Sequence, residues 1–213
     1  MLLAIGLGAA LVLGPAVRSW PLIAYLVLNL VYSRWLRHVG LLDVNVVAIG
    51  FVLRVLFGYT VIGVATSPWL LIAVYLLCLL LILGKRRHEL RTFGTRHRAA
   101  LRDYSVQYLD YLMVLSAVMA FTTFMLYLTE AAFAVPYNEA ALLISAPCAL
   151  FALARFIQMI VVQQEGDDPV RVLLRDHRML AVGCTWLALL GLTAFIADHQ
   201  AMVQGILGQG VLS

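Results

Sequence analysis

The sequence predicts an all-α protein, a polytopic transmembrane helix bundle with about seven spans. Of its 213 residues, 63% are hydrophobic and only 12% are charged, whereas a soluble domain has roughly 45–50% apolar and about 25% charged residues. The apolar residues form long unbroken runs, which are typical of spanning helices and not of the short alternating strands of a barrel. This composition excludes a disordered chain, a coiled coil, a nucleic-acid-binding module and an ordinary cytosolic enzyme.

Seven apolar segments are the candidates for these spans, because a helix needs about 20 predominantly apolar residues to cross a bilayer. In chain order they cover residues 2–17, 21–33, 43–62, 68–84, 105–128, 140–162 and 180–197. No repeat or low-complexity segment stands out between them. We therefore expect residues 1–213 to form a single transmembrane domain.

The basic residues predict the orientation of the spans. Twelve of the fifteen Lys and Arg residues lie in the segments after the second, fourth and sixth spans. Cytoplasmic loops carry an excess of Lys and Arg, so we expect a multi-pass plasma (inner) membrane protein with these three loops in the cytoplasm and the C-terminus outside. The twelve residues are Arg34 and Arg37, then Lys85, Arg86, Arg87, Arg91, Arg96, Arg98 and Arg102, then Arg171, Arg175 and Arg178.

Two further arginines, Arg54 and Arg155, fall inside predicted spans. A charge near mid-membrane costs about 2.5–3.5 kcal/mol on insertion scales, so both are expected to face the bundle interior or a polar cavity. Two interpretations stay open for each arginine: it belongs to a structural ion pair, or it belongs to a functional site. Asp110, one to two turns inside the fifth span, is expected to have a partner for the same reason.

The segment from Gly84 to Leu90, Gly-Lys-Arg-Arg-His-Glu-Leu, lies where the fourth span meets the cytoplasm. If the helix continues, Glu89 shares a face with Lys85, four residues before it, and with Arg86, three residues before it. Such cations suit phosphate groups, and a carboxylate beside phosphates suits Mg²⁺. Charge alone favours a simpler interpretation, an anchor to anionic lipid headgroups with Glu89 in a surface salt bridge.

Other polar residues have local explanations. Asp168 and Pro169 are typical of the N-cap and first turn of a short helix, although Asp167 and Asp168 together could also bind a metal. The cysteines, which all lie in apolar segments, are expected to be free packing residues; they are Cys78, Cys148 and Cys184.

Taken in order, several short motifs resemble the UbiA superfamily of intramembrane prenyltransferases, and in particular its decaprenyl-phosphate phosphoribosyltransferase branch, whose pattern is YSxxLK, GFxxR, SxW and GKRxxEL. The resemblance covers roughly residues 20–190 and is carried by order and spacing. The matching residues are Tyr32-Ser33 with Leu36-Arg37, Asp43, Gly50-Phe51 with Arg54, Ser67-Pro68-Trp69, the Gly84–Leu90 segment, Tyr104-Ser105, Arg155 and Leu174-Arg175-Asp176.

The resemblance implies a nine-helix fold with a cavity open to the cytoplasm, of which this chain would supply the C-terminal seven helices. It implies transfer of phosphoribose from phosphoribosyl pyrophosphate to a polyprenyl phosphate, for cell-wall arabinan precursors, with Mg²⁺ as cofactor. The partners would be these two substrates and the membrane, with a homo-oligomer as an option and no nucleic acid. Substrate phosphates would be bound by Lys85, Arg86, Arg37 and Arg54, the cavity would be lined by Tyr32, Ser33 and Tyr104, and the metal would be bound by Glu89.

The sequence departs from the family at its first acidic motif, NxxxDxxxD, which does not occur in it. Because the resemblance also begins near the family's third helix, we expect the chain to be N-terminally incomplete. Two alternatives stay open: a prenyltransferase that uses a polyprenyl diphosphate donor, and a non-catalytic truncated paralogue that acts as a membrane scaffold.

Overall fold

The structure, a computed structural model, describes residues 20–96, 99–132, 138–164 and 168–210, and within these ranges it is helical without a strand. Short 3₁₀ turns lie at Leu36–His38, Gly94–Arg96 and Ala99–Asp103. The chain is an all-α polytopic membrane bundle, as the composition predicts. Its helices are α1 (Trp20–Arg34), α2 (Leu42–Ile62), α3 (Pro68–Phe93), α4 (Val106–Ala132), α5 (Asn138–Val161), α6 (Pro169–Arg175) and α7 (His177–Gly210).

Among the described residues, four helical segments are long and apolar enough to cross a membrane: Leu42–Ile62, Pro68–Phe93, Val106–Glu130 and Ala140–Val161. They correspond to the third to sixth predicted spans. The second predicted span lies in α1, which has only 15 residues, and the seventh lies in α7, whose apolar part is His177–Thr193. The first predicted span, residues 2–17, lies outside the described residues.

The helix that contains the fourth predicted span extends beyond it. Residues 68–84 were expected from hydropathy, but α3 continues to Phe93. The helix continues because Arg86 and Arg87, which follow the apolar run, are themselves buried. Gly94 then ends the helix in a backbone conformation with φ 65° that side chains rarely adopt.

Local chemistry explains where several helices begin and end. Pro68 occupies the first turn of α3, where a missing backbone N–H costs nothing. Gly63, at φ 77°, closes α2 by donating its backbone N–H to the Tyr59 carbonyl at 2.9 Å. Asp168 caps α6 by accepting the Arg171 N–H at 3.2 Å, and Pro169 follows it. The predicted capping role of Asp168 is therefore confirmed.

The buried core lies toward one end of the bundle, the end that carries the basic segments. It joins the start of α2 and α4 to the middle of α3 and the last turns of α5, and Tyr104 with Leu101 belongs to the same core. Gly84 allows close packing there, because a Cβ at this position would meet the Phe156 ring at 3.2 Å. Many large apolar side chains elsewhere point outward, as expected for helices that face lipid.

The three cysteines are free, as predicted. Cys78 and Cys148 are half-buried in α3 and α5, and Cys184 is exposed on α7. They contribute no covalent link to the fold.

Candidate functional site

A cluster of four polar side chains joins α1, α2 and α3 at the core end of the bundle. Arg86 donates from Nε to Asp43 Oδ2 at 2.7 Å and from Nη1 to Glu89 Oε2 at 2.6 Å. Tyr32 donates its hydroxyl to the other carboxylate oxygen of Asp43 at 2.7 Å. We call Tyr32, Asp43, Arg86 and Glu89 the ionic cluster.

Two members of the ionic cluster, Asp43 and Arg86, are removed from solvent. The Asp43 side chain is 0% exposed and the Arg86 side chain 7% exposed. Burial of this kind requires both opposite charge and hydrogen bonds, and Asp43 has both. Asp43 also lies in the first turn of α2, where the helix dipole favours a negative charge.

The predicted pairing of Arg86 with Glu89 is confirmed, while Lys85 behaves differently. Lys85 is exposed, and within the described part of the chain the Glu89 carboxylate pairs with Arg86 instead. Arg86 commits Nε and Nη1 to carboxylates, so Nη2 is the atom that it would offer to a phosphate. The predicted phosphate contacts of Lys85 and Arg86 stay predictions.

Arg87 was not singled out from the sequence, yet it is a second buried cation beside the first. It binds Asp110 of α4 through Nε and donates from Nη1 to the Ile160 carbonyl of α5 at 3.0 Å. Asp110 therefore has the partner that its place inside an apolar span requires. The two adjacent arginines of α3 thus point to different neighbouring helices.

A cavity of about 280 Å³ lies between α1 and α2 next to the ionic cluster. Arg54 and Tyr32 both line it, together with Tyr25 and Asn29. The Arg54 guanidinium lies over the Tyr25 ring at 4.6 Å and the Phe51 ring at 5.0 Å, and it donates to the Tyr25 hydroxyl. Arg54 is therefore held by aromatic faces, and within the described ranges it has no carboxylate partner.

Two other predicted site residues lie on the surface near this cavity and not among its lining residues. Ser33 is exposed at the end of α1. Arg37 is exposed on the 3₁₀ turn that follows, where its Nε is 3.0 Å from His38 Nε2. The structure therefore brings Tyr32 and Arg54 together and leaves Ser33 and Arg37 at the rim.

Tyr104 is buried and lines a different, more open depression, together with Gly40 and Leu41. Its phenol oxygen accepts the Leu41 N–H at 2.5 Å, and Asp103 accepts the Gly40 N–H at 2.9 Å. These bonds hold Leu41, a non-glycine residue at φ 61°. Burial raises the pKa of the Tyr104 phenol above its usual value, so the hydroxyl stays protonated at neutral pH.

We expect Tyr104→Phe to destabilise the protein by about 0.5–1.5 kcal/mol, because the hydrogen bond that the Leu41 N–H donates to the phenol oxygen is lost. The measurement is the free energy of unfolding in mixed micelles. Tyr111→Phe is the matched control, since Tyr111 is 64% exposed on α4. Equal stability of the two variants would show that the Tyr104 hydroxyl does not hold this turn.

Arg155 is engaged in a structural pair. Its Nη2 donates to Asp176 Oδ2 at 2.5 Å and its Nη1 donates to Gln158 at 2.8 Å. The other oxygen of Asp176 accepts the Met179 N–H at 2.8 Å and caps α7. The hydrogen bond from Arg155 lowers the pKa of Asp176 below its usual value. Of the two interpretations left open for Arg155, the geometry favours the ion pair.

The ionic cluster does not by itself fit a magnesium site. Glu89 and Asp43 both face the same guanidinium, and no three His, Cys, Asp or Glu side chains come together within the described ranges. Mg²⁺ is usually held by one or two carboxylates plus substrate oxygens. The role of Glu89 as a metal ligand stays a prediction.

The fold and this site define an all-α membrane protein with buried cations at one end, and related sequences belong to membrane transferases. The chain is 30% identical to the decaprenyl-phosphate phosphoribosyltransferase of Mycolicibacterium smegmatis over 126 residues, which are 54% of this chain and 40% of the relative. It is 25% identical to the enzyme of that name from Mycobacterium tuberculosis over 177 residues, which are 80% of this chain and 56% of the relative.

A third relative is the uncharacterized protein y4nM of Sinorhizobium fredii, 41% identical over 91 residues, which are 42% of this chain and 17% of that protein. No protein-family model matches the chain. The chain spans about half or less of the length of these relatives. The distant similarity to the phosphoribosyltransferases supports a UbiA-like family and a prenyltransferase-like function in the membrane.

Proposed function

We propose that the chain is a UbiA-type membrane transferase that moves phosphoribose from phosphoribosyl pyrophosphate to a polyprenyl phosphate, as a step toward cell-wall arabinan precursors. The observation that carries this proposal is the ionic cluster, which lies beside the Arg54 cavity at the basic end of an apolar bundle. The names of the phosphoribosyltransferase relatives point to the same reaction.

The described residues divide into two groups for this reaction. Lys85 and Arg37 are exposed cations at the rim, and they are suited to the pyrophosphate of a water-soluble donor. Arg54 lies inside the membrane-spanning part of α2 and is suited to an anionic group that enters between α1 and α2. Tyr32 links the Arg54 cavity to the ionic cluster, because it lines the cavity and donates to Asp43.

The transfer forms one bond to the anomeric carbon of the donor and breaks another. A phosphate oxygen of the lipid attacks the anomeric carbon of the donor, and the bond from that carbon to pyrophosphate breaks. Pyrophosphate leaves with the bonding electron pair, and fixed cations stabilise its growing negative charge. A lipid acceptor and a soluble donor meet at the membrane surface, which agrees with a site at the basic end of the helices.

The direct test is phosphoribosyl transfer in membranes that contain the full-length chain. Labelled phosphoribosyl pyrophosphate and polyprenyl phosphate are supplied with and without Mg²⁺, and the labelled lipid is measured. We expect transfer that requires Mg²⁺. A parallel reaction with a polyprenyl diphosphate and an aromatic acceptor distinguishes the prenyltransferase alternative.

We expect Lys85→Ala to lower turnover by about tenfold to a hundredfold, because a fixed cation at the leaving group is lost. Arg91→Ala is the matched control, since Arg91 is an exposed cation further along α3. Unchanged turnover in Lys85→Ala would remove this residue from the site. If wild-type membranes form neither the phosphoribosyl lipid nor the prenylated acceptor, the scaffold alternative is favoured.

A further inference from the structure

The short helix α6 presents an unusual outer face. Arg171, Leu174 and Arg175 are three and four residues apart and therefore share one side of the helix. All three are exposed, and Leu174 is 65% exposed. Arg178, also exposed, follows in the first turn of α7. Leu174 thus lies between Arg171 and Arg175 on one face of α6, and Arg178 adds a further exposed cation at the start of the next helix.

The opposite side of α6 is fixed to the bundle. Val172 and Leu173 pack against the buried core, and Pro169 is buried at the first turn. Asp168 caps the start of α6, and Asp176 after its end is bound to Arg155. The outer face is therefore held in a defined position relative to α5 and α7.

The position of α6 along the chain places this face at a membrane boundary. The helix follows the candidate span that ends at Val161 and precedes the apolar stretch His177–Thr193. A helix at this level with one exposed leucine between arginines has the features of an interfacial helix, in which the apolar residue enters the acyl boundary and the cations meet headgroup phosphates.

We propose that α6 and the first turn of α7 bind the headgroup of an anionic phospholipid. Arg171, Arg175 and Arg178 contact the phosphate oxygens, and Leu174 inserts beside the acyl chains. The charge of the three guanidinium groups selects an anionic lipid over a zwitterionic one. This surface is separate from the ionic cluster, and the proposal does not depend on the transferase reaction.

The test is lipid titration of the full-length protein in detergent, with bound phosphatidylglycerol and phosphatidylcholine counted by native mass spectrometry. We expect wild type to prefer phosphatidylglycerol, and Arg171→Gln/Arg175→Gln to weaken its binding by about fivefold per arginine. Leu174→Ser is expected to weaken binding severalfold without a change of charge. The control Arg34→Gln/Arg91→Gln removes two exposed arginines elsewhere and is expected to retain wild-type affinity.

Unchanged melting temperatures in lipid-free detergent establish that the variants compared are folded. Equal loss of affinity in the α6 variant and the control would overturn the proposal, because binding would then depend on net charge alone. Equal affinity for both lipids in wild type would also overturn it. Displacement of the lipid by millimolar inorganic phosphate, or no effect of Leu174→Ser, would indicate a free-anion site and contradict a lipid surface.

Discussion

Arg86→Gln is expected to destabilise the protein by about 3–5 kcal/mol, because removing one partner leaves buried charge without compensation. Two carboxylates depend on this guanidinium, and Asp43 is fully buried. The variant would leave the fully buried Asp43 and the partly exposed Glu89 without the cation that they share. The measurement is the free energy of unfolding in mixed micelles, with Arg91→Gln as the matched control on the same helix.

A double variant separates the lost ion pair from a general effect at this position. We expect Asp43→Asn/Arg86→Gln to recover part of the stability, because it removes the buried negative charge together with its partner. If the stability loss of the double variant equals the sum of the losses of the two single variants, Asp43 and Arg86 do not stabilise each other. A loss in Arg86→Gln no larger than in Arg91→Gln would show that the ionic cluster is not important for folding.

Asp176→Ala is expected to cost about 3 kcal/mol or more, because it removes the partner of buried Arg155 and the N-cap of α7 together. Asp176→Asn is the informative comparison, since asparagine is a good N-cap but carries no charge. The difference between the two variants measures the cap. The difference between Asp176→Asn and wild type measures the ion pair.

This ion pair also has a defined pH dependence. Arg155 lowers the pKa of Asp176 in the folded protein. The stability that the pair contributes is therefore present above the unfolded pKa of about 3.9 and is lost as the pH falls through the lower folded value. We expect the gap in unfolding free energy between wild type and Asp176→Asn to be constant near neutrality and to shrink below about pH 4. A gap that widens on acidification would contradict the assigned pair.

Sequence reasoning worked best where the determining contacts are local. The cap at Asp168 and the pairing of Arg86 with Glu89 involve residues three apart, so spacing alone predicts them. The apolar runs predicted the helices for a similar reason. Hydropathy predicted the apolar part of α3 but not how far the helix continues, because hydropathy does not reveal that a charged residue is buried in an ion pair.

Long-range partners were not predictable in this way. Asp110 inside a span required a cation, but no periodicity identifies Arg87, 23 residues away, as that cation. The bond between Asp43 and Arg86, 43 residues away, depends on how α2 packs against α3. Burial of Arg87 was missed because its neighbours Lys85 and Arg86 made the segment resemble a uniform basic loop.

The adjacent arginines of α3 have a mechanical consequence. Successive residues on an α-helix are about 100° apart around the axis. Arg86 therefore binds α2 on one side of α3, and Arg87 binds α4 and α5 on the other. A rotation of α3 about its axis, or a shift by one residue, would break the ion pairs of both arginines. α3 therefore fixes the relative positions of α2, α4 and α5, whereas the hydrogen bond from Tyr32 joins α1 to Asp43 of α2.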